Sequence, residues 1–211
     1  MCMRLLHIPL VLFTTLIVTI AQAASSPTDT FHNGDLIFHQ SKSRQAAAIL
    51  EATGSPWSHV GMLFQKGKDW YVVEAVQPVR ITPLQTFIAR GRDNSYRVYR
   101  VRGITDSQVI ALEDAIVPHL GKNYDIFFEW SDATLYCSEL VYKALFAATG
   151  KEIGLVQKFS ELNLNGPLIQ ELIRQRYKDT GKTFNPNEPV VTPVSQLEDS
   201  ELDLVVKVGR Y

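Results

Sequence analysis

The chain has 211 residues, 45% of them apolar, with 21 Lys and Arg against 22 Asp and Glu and a net charge of −1. That balance offers no basic face for nucleic acid. Two cysteines and five scattered histidines exclude a disulfide framework and a zinc cluster, and no metal or other cofactor is called for.

In chain order, Met1 to Ala23 comes first, with Arg4 near its start and an apolar run from Leu5 to Ile20. It ends in Ala21-Gln22-Ala23, the layout of a secretory leader cut after Ala23. The alternative is an uncleaved membrane anchor, for which the apolar run is short. The reading is residues 1–23 as leader and 24–211 as one exported, periplasmic domain without stable membrane insertion. Roughly 190 residues suffice for one compact core.

Ser25 to Asn33 is a polar lead-in. Gly34 to Phe38 reads as a turn feeding an apolar strand, and Ser43 to Glu51 as a short helix ended by Thr53-Gly54-Ser55-Pro56. Ser58 to Gln65 alternates Val60, Met62 and Phe64 with His59, Gly61 and Leu63, and a second strand runs from Trp70 to Val76. Together they predict a hairpin. A further strand covers Asn94 to Arg102. Thr105 to Leu120 has helical spacing, with a start signal at Thr105-Asp106-Ser107-Gln108 and Gly121 as C-cap.

Another helix covers Leu135 to Ala148, with Gly150 ending it, and a third covers Pro167 to Tyr177. The tail closes on a strand-like run from Leu204 to Val208. Strands and helices mix without regular alternation, which predicts an α+β domain with an antiparallel sheet. The stripe Leu140, Val141, Ala144 and Leu145 should pack on that sheet. What the region after Gly150 does is left open.

With the leader removed, Cys137 is the one cysteine left, and it opens its helix. A thiol in a first helical turn feels the positive end of the macrodipole, which favours the thiolate. Such a nucleophile needs a base, and the base needs an orienting group. His59 is the candidate base. Glu74, in the otherwise apolar run Tyr71 to Val76, is the candidate orienting group. A hairpin loop of two or four residues puts both on one face, because strand side chains alternate; three would separate them.

The runs Gly34-Asp35-Leu36-Ile37-Phe38, Ser58-His59-Val60-Gly61-Met62, Val73-Glu74-Ala75-Val76, Gly121-Lys122-Asn123-Tyr124-Asp125 and Tyr136-Cys137-Ser138-Glu139-Leu140-Val141 resemble the YiiX/YebB-type hydrolases. These are circularly permuted relatives of the NlpC/P60 cysteine peptidases, with a papain-like fold. The order His59, Glu74, Cys137 matches their permuted order. The resemblance implies Cys137 as nucleophile, His59 as base and Glu74 as orienting residue.

It also sets Tyr124, Tyr136, Ser58 and Asp35 beside the site as substrate or oxyanion candidates. Asp35 otherwise reads as a turn and capping residue, and Tyr124 as a core aromatic. The implied reaction is acyl transfer on an amide: a cell-wall peptide in an exported enzyme, or alternatively a lipid amide or ester. Trp57, Phe127, Phe128 and Trp130 suit an acyl chain or plain core packing. A non-catalytic binding module and a disulfide-linked protein are the other classes, and oligomeric state is open.

Overall fold

A computed structural model describes residues 26–210, so the expected leader over 1–23 and its expected cleavage site lie outside the described residues. A six-stranded sheet carries the molecule, in the order β4-β3-β2-β1-β5-β8 with every neighbouring pair antiparallel. At its centre are β1 (Leu36–Ser41) and β2 (His59–Lys66), separated by α1 (Arg44–Thr53). Gly54 ends α1 in the left-handed conformation, which a glycine adopts without a Cβ penalty.

Then come β3 (Asp69–Glu74), β4 (Arg80–Pro83), α2 (Leu84–Ala89) and β5 (Gly91–Val101). After α3 (Asp106–Ile116) and α4 (Cys137–Thr149), the chain forms β6 (Val156–Lys158), α5 (Pro167–Tyr177), β7 (Pro189–Val191), α6 (Pro193–Leu197) and β8 (Leu202–Val208). β6 and β7 make a small sheet of their own. β8 adds the edge strand beside β5, which is one task of the region after Gly150.

One expectation changes, and five short elements went unread. Gly121 does not cap α3; that helix stops at Ile116 and a 3-10 turn, Val117–His119, follows, because Pro118 lacks the N–H a further α-turn needs. β4, α2, β6, β7 and α6 are three to six residues long. Runs that short carry no readable periodicity.

The sheet is covered on both faces, which is why Leu36-Ile37-Phe38 has no exposed surface. On one face Leu36, Phe38, Val60, Met62 and Ala75 meet Leu140, Val141, Ala144 and Leu145 of α4, as the helical stripe predicts. On the other, Ile37, Leu63, Val72 and Val98 meet Leu84 and Phe87 of α2. The β2–β3 hairpin closes at Lys66 opposite Asp69, and Met62 pairs with Val73. This is the even register, with His59 opposite position 76 and Glu74 one pair away beside Gly61. Both side chains therefore share the α2 face.

Candidate active site

Cys137 is the first residue of α4. A parallel bridge between Tyr124 and Leu135 aligns the two loops that lead to it. The helix start is tied down from behind: Ser138 Oγ donates to the Val191 carbonyl at 2.8 Å, and Gln196 Nε2 to the Ser138 carbonyl at 2.9 Å. β7 and α6 thus hold the nucleophile helix in place. The thiol lies beside the His59 ring, close enough for each to shift the other's protonation, with the backbone N–H groups of Val60 and Ser138 also acting on it. α4 covers one face of the sheet and His59 belongs to the other, but His59 is the first residue of β2, where the strand begins.

His59 Nε2 lies 2.6 Å from Glu74 Oε2. Nδ1 is the nitrogen left for the thiol. The opposite carboxylate oxygen, Oε1, accepts from the Thr82 hydroxyl at 2.6 Å and from the Arg90 guanidinium. Cys137, His59 and Glu74 are 4%, 9% and 0% exposed. Gly61 beside Glu74 is steric: a methyl there would collide with Val72 and stand 3.4 Å from the Glu74 Cβ.

The charges in this buried row support one another. Burial disfavours the Cys137 thiolate, but the adjoining imidazolium and the two N–H donors outweigh it, and the thiol is held below its ordinary value. Burial likewise opposes the imidazolium; the Cys137 and Glu74 charges overcome it and raise His59 to about 9. Glu74 is driven down to about 2 against its burial by His59, Thr82 and Arg90. The geometry favours a thiolate–imidazolium pair, whose titration belongs to the pair rather than to either residue.

Of the further candidates, Tyr124 is closest to the chemistry. Its hydroxyl accepts from Gln45 Nε2 at 3.0 Å, and burial together with the Cys137 charge raises its pKa, so it stays protonated. Ser58 is buried, its Oγ taken by the Ser41 N–H at 2.9 Å. Tyr136 lines the hollow that reaches Cys137, while its hydroxyl accepts from the Val191 N–H at 3.2 Å. Asp35 takes its turn and capping reading: it clamps Arg100 at 2.7 and 2.8 Å and accepts from the His32 N–H. It stands at the far end of β1 from His39.

Sequence reasoning missed Arg90, Thr82 and His39. The β1–β2 register sets His39 opposite His59, and its ring stacks on Phe87 at 4.4 Å between centroids. Burial first, then the cations at His59 and Arg90, hold His39 well below its ordinary pKa, hence neutral. One residue pair beyond the nucleophile, buried Glu139 is pushed up to about 7 by desolvation, offset in part by Lys143 and the Tyr136 N–H.

The family of permuted papain-like amidase enzymes of the YaeF/YiiX type, C92, matches residues 30–206. The chain belongs to this family. It is 39% identical to the uncharacterized protein YiiX of Escherichia coli K12 over 197 residues, 93% of this chain and 94% of that protein. The crystal structure of yiiX from Escherichia coli O157:H7, described as a metalloprotein, superposes with a TM-score of 0.80 at 41% identity, over 85% of this chain and 98% of that one. In the present amidase, no group of three or more His, Cys, Asp or Glu among the described residues is placed to hold a metal ion.

The amidase is thus a cysteine hydrolase of amidase or peptidase type, with an α+β permuted papain-like fold. Two hollows flank its thiol. One, an apolar hollow of about 60 Å³, is lined by Ile49, Phe128, Phe159, Ile169, Leu172 and Val191 and reaches Cys137. The second is a more open groove bordered by His39, Lys42, His59, Gln77 and Arg90. Ser58 and Tyr124 border both. Among the described residues no helix is long and apolar enough to cross a membrane.

Proposed function

We propose that this cysteine hydrolase cleaves its amide by Cys137-His59-Glu74 acyl transfer, and that it acts outside the cytoplasm after removal of the Met1–Ala23 leader. The observation that carries the mechanism is the unbroken buried row from the Cys137 thiol through the His59 ring to Glu74.

The Cys137 thiolate attacks the amide carbon. The oxygen's developing charge meets the backbone N–H of Cys137 at the start of α4, with the Tyr124 hydroxyl as second donor. The His59 imidazolium hands its proton to the departing amine, leaving a thioester on Cys137. His59, now neutral, takes a proton from water, which attacks the thioester and releases the acid. Glu74 keeps the ring oriented and stabilises its cation throughout.

For the substrate, an exported location favours a cell-wall peptide amide. The apolar hollow against Cys137 favours a second reading, an amide or ester whose acyl part is a lipid chain. The test is to incubate purified protein, and Cys137→Ala alongside, with murein fragments and with long-chain N-acyl amines, and to resolve products by mass. Product from murein fragments alone supports the peptide reading, and product from acyl amines alone the lipid reading. Products that persist in Cys137→Ala, or none from either, contradict the proposal.

A further inference from the structure

Arg90 follows α2 as its C-cap, and its backbone carbonyl accepts from the Lys42 N–H, so its place is fixed. Its guanidinium meets Glu74 on the oxygen that His59 leaves free. Of the groups touching that wholly buried carboxylate, Thr82 is neutral and His59 changes charge during the reaction. Arg90 is the permanent cation. In the thiolate–imidazolium form the charges at Cys137, His59, Glu74 and Arg90 sum to zero. Removing Arg90 would leave a net negative charge in a dry site, where charge is expensive.

We infer that Arg90 is a positioning residue of this amidase: through Glu74, and not through the substrate, it sets the pH at which Cys137 becomes a thiolate. The inference rests on reading Cys137, His59 and Glu74 as the triad. Two effects of Arg90 oppose each other. It repels the imidazolium, but it also keeps Glu74 ionised and aligned. Glu74 stands between the two cations in contact with both, and Coulomb energy falls with distance, so the indirect effect dominates.

Several other groups border this network, among them Arg80 of β4, which pairs with Glu74 across the sheet and is exposed. His39 of β1 is neutral. Thr82 of β4 carries no charge. Tyr124 keeps its proton. Lys42 borders the same groove but donates to the Ala89 carbonyl at 3.0 Å.

The experiment follows iodoacetamide alkylation of Cys137 against pH on the full chain, with the site read by peptide mass. Wild type is compared with Arg90→Gln, Arg90→Lys, Glu74→Gln and the Arg90→Gln/Glu74→Gln pair. Arg90→Gln should move the midpoint up by about one pH unit, making labelling about tenfold slower below it. Arg90→Lys should restore most of the shift. In the Glu74→Gln background, Arg90→Gln should add nothing, because the route through Glu74 is already cut.

An unchanged or downward midpoint in Arg90→Gln overturns the inference, as does an equal shift in the Glu74→Gln background. Should Arg90→Gln not fold, Arg90→Met, which keeps an unbranched apolar side chain in place of the guanidinium beside Phe87, carries the same comparison. A wild-type midpoint at the ordinary thiol value would remove the triad itself, an outcome distinct from failure of the Arg90 step alone.

Discussion

Glu74 occupies a position that strands disfavour, and three neighbours hold it there. Replacing it by Gln keeps the shape, but a neutral amide cannot stabilise the imidazolium and leaves Arg90 without its counter-charge. We expect Glu74→Gln to lower kcat for amide cleavage by on the order of 100-fold, less than Cys137→Ala does, with KM little changed. Full activity in Glu74→Gln would show that another group orients His59. At this scale the sequence was readable where parity sufficed. His59 and Glu74 follow from an even hairpin, and Cys137 from the helix start. Arg90 and Thr82 did not follow, because they reach Glu74 from α2 and β4, elements too short to be read. His39 was within reach of the same strand logic, since β1 lies beside β2, but the pairing of those strands is not written in either run alone.

At the scale of elements, α4 couples stability to chemistry. Its stripe fills one face of the sheet while its first residue carries the thiol. Leu140 has no exposed surface, so Leu140→Ala should destabilise by about 2–5 kcal/mol through the lost contacts and the cavity left behind. Urea unfolding monitored by circular dichroism checks this; a loss below about 1 kcal/mol would mean that α4 is not packed as described. The long elements α1, α3, α4, α5, β2, β3, β5 and β8 were legible, because periodicity needs length to show. The small β6–β7 sheet and α6 were not. Yet they supply the Val191 carbonyl and Gln196 amide that hold Ser138, so the support of the nucleophile was hidden in the stretch with the weakest signal.

At the scale of the molecule, buried acids shape the response to pH. Glu74 falls to about 2 from an ordinary 4.5, so its stabilisation is complete above pH 4.5 and is lost as pH drops toward 2. Glu139 rises to about 7 from 4.5, so its contribution is complete below 4.5 and is lost as pH rises through 7. Each is worth on the order of 3 kcal/mol. Taken alone, the two place the thermal midpoint's maximum at about pH 5, and buried neutral His39, which costs stability as pH falls below 6.5, broadens that maximum toward 6.5. Glu139→Gln should flatten the decline toward neutral pH while leaving the acid limb intact. Persistence of that decline in the variant would assign it to other groups. The α+β class and the antiparallel sheet were legible from the mixed element order, and the permuted order of His59, Glu74 and Cys137 pointed to the family. What composition could not give is the closure of the site, which depends on loops near Tyr124 and on β7 meeting at one helix start.

The central claim is that Cys137 is an activated thiolate paired with His59. Its most direct test is the ultraviolet absorbance of the thiolate as a function of pH, taken as the difference between wild type and Cys137→Ser, with and without His59→Ala. The account predicts a wild-type midpoint well below about 8.5, moving up toward that ordinary value when His59 is replaced. Two coincident titrations at the ordinary thiol value would contradict it.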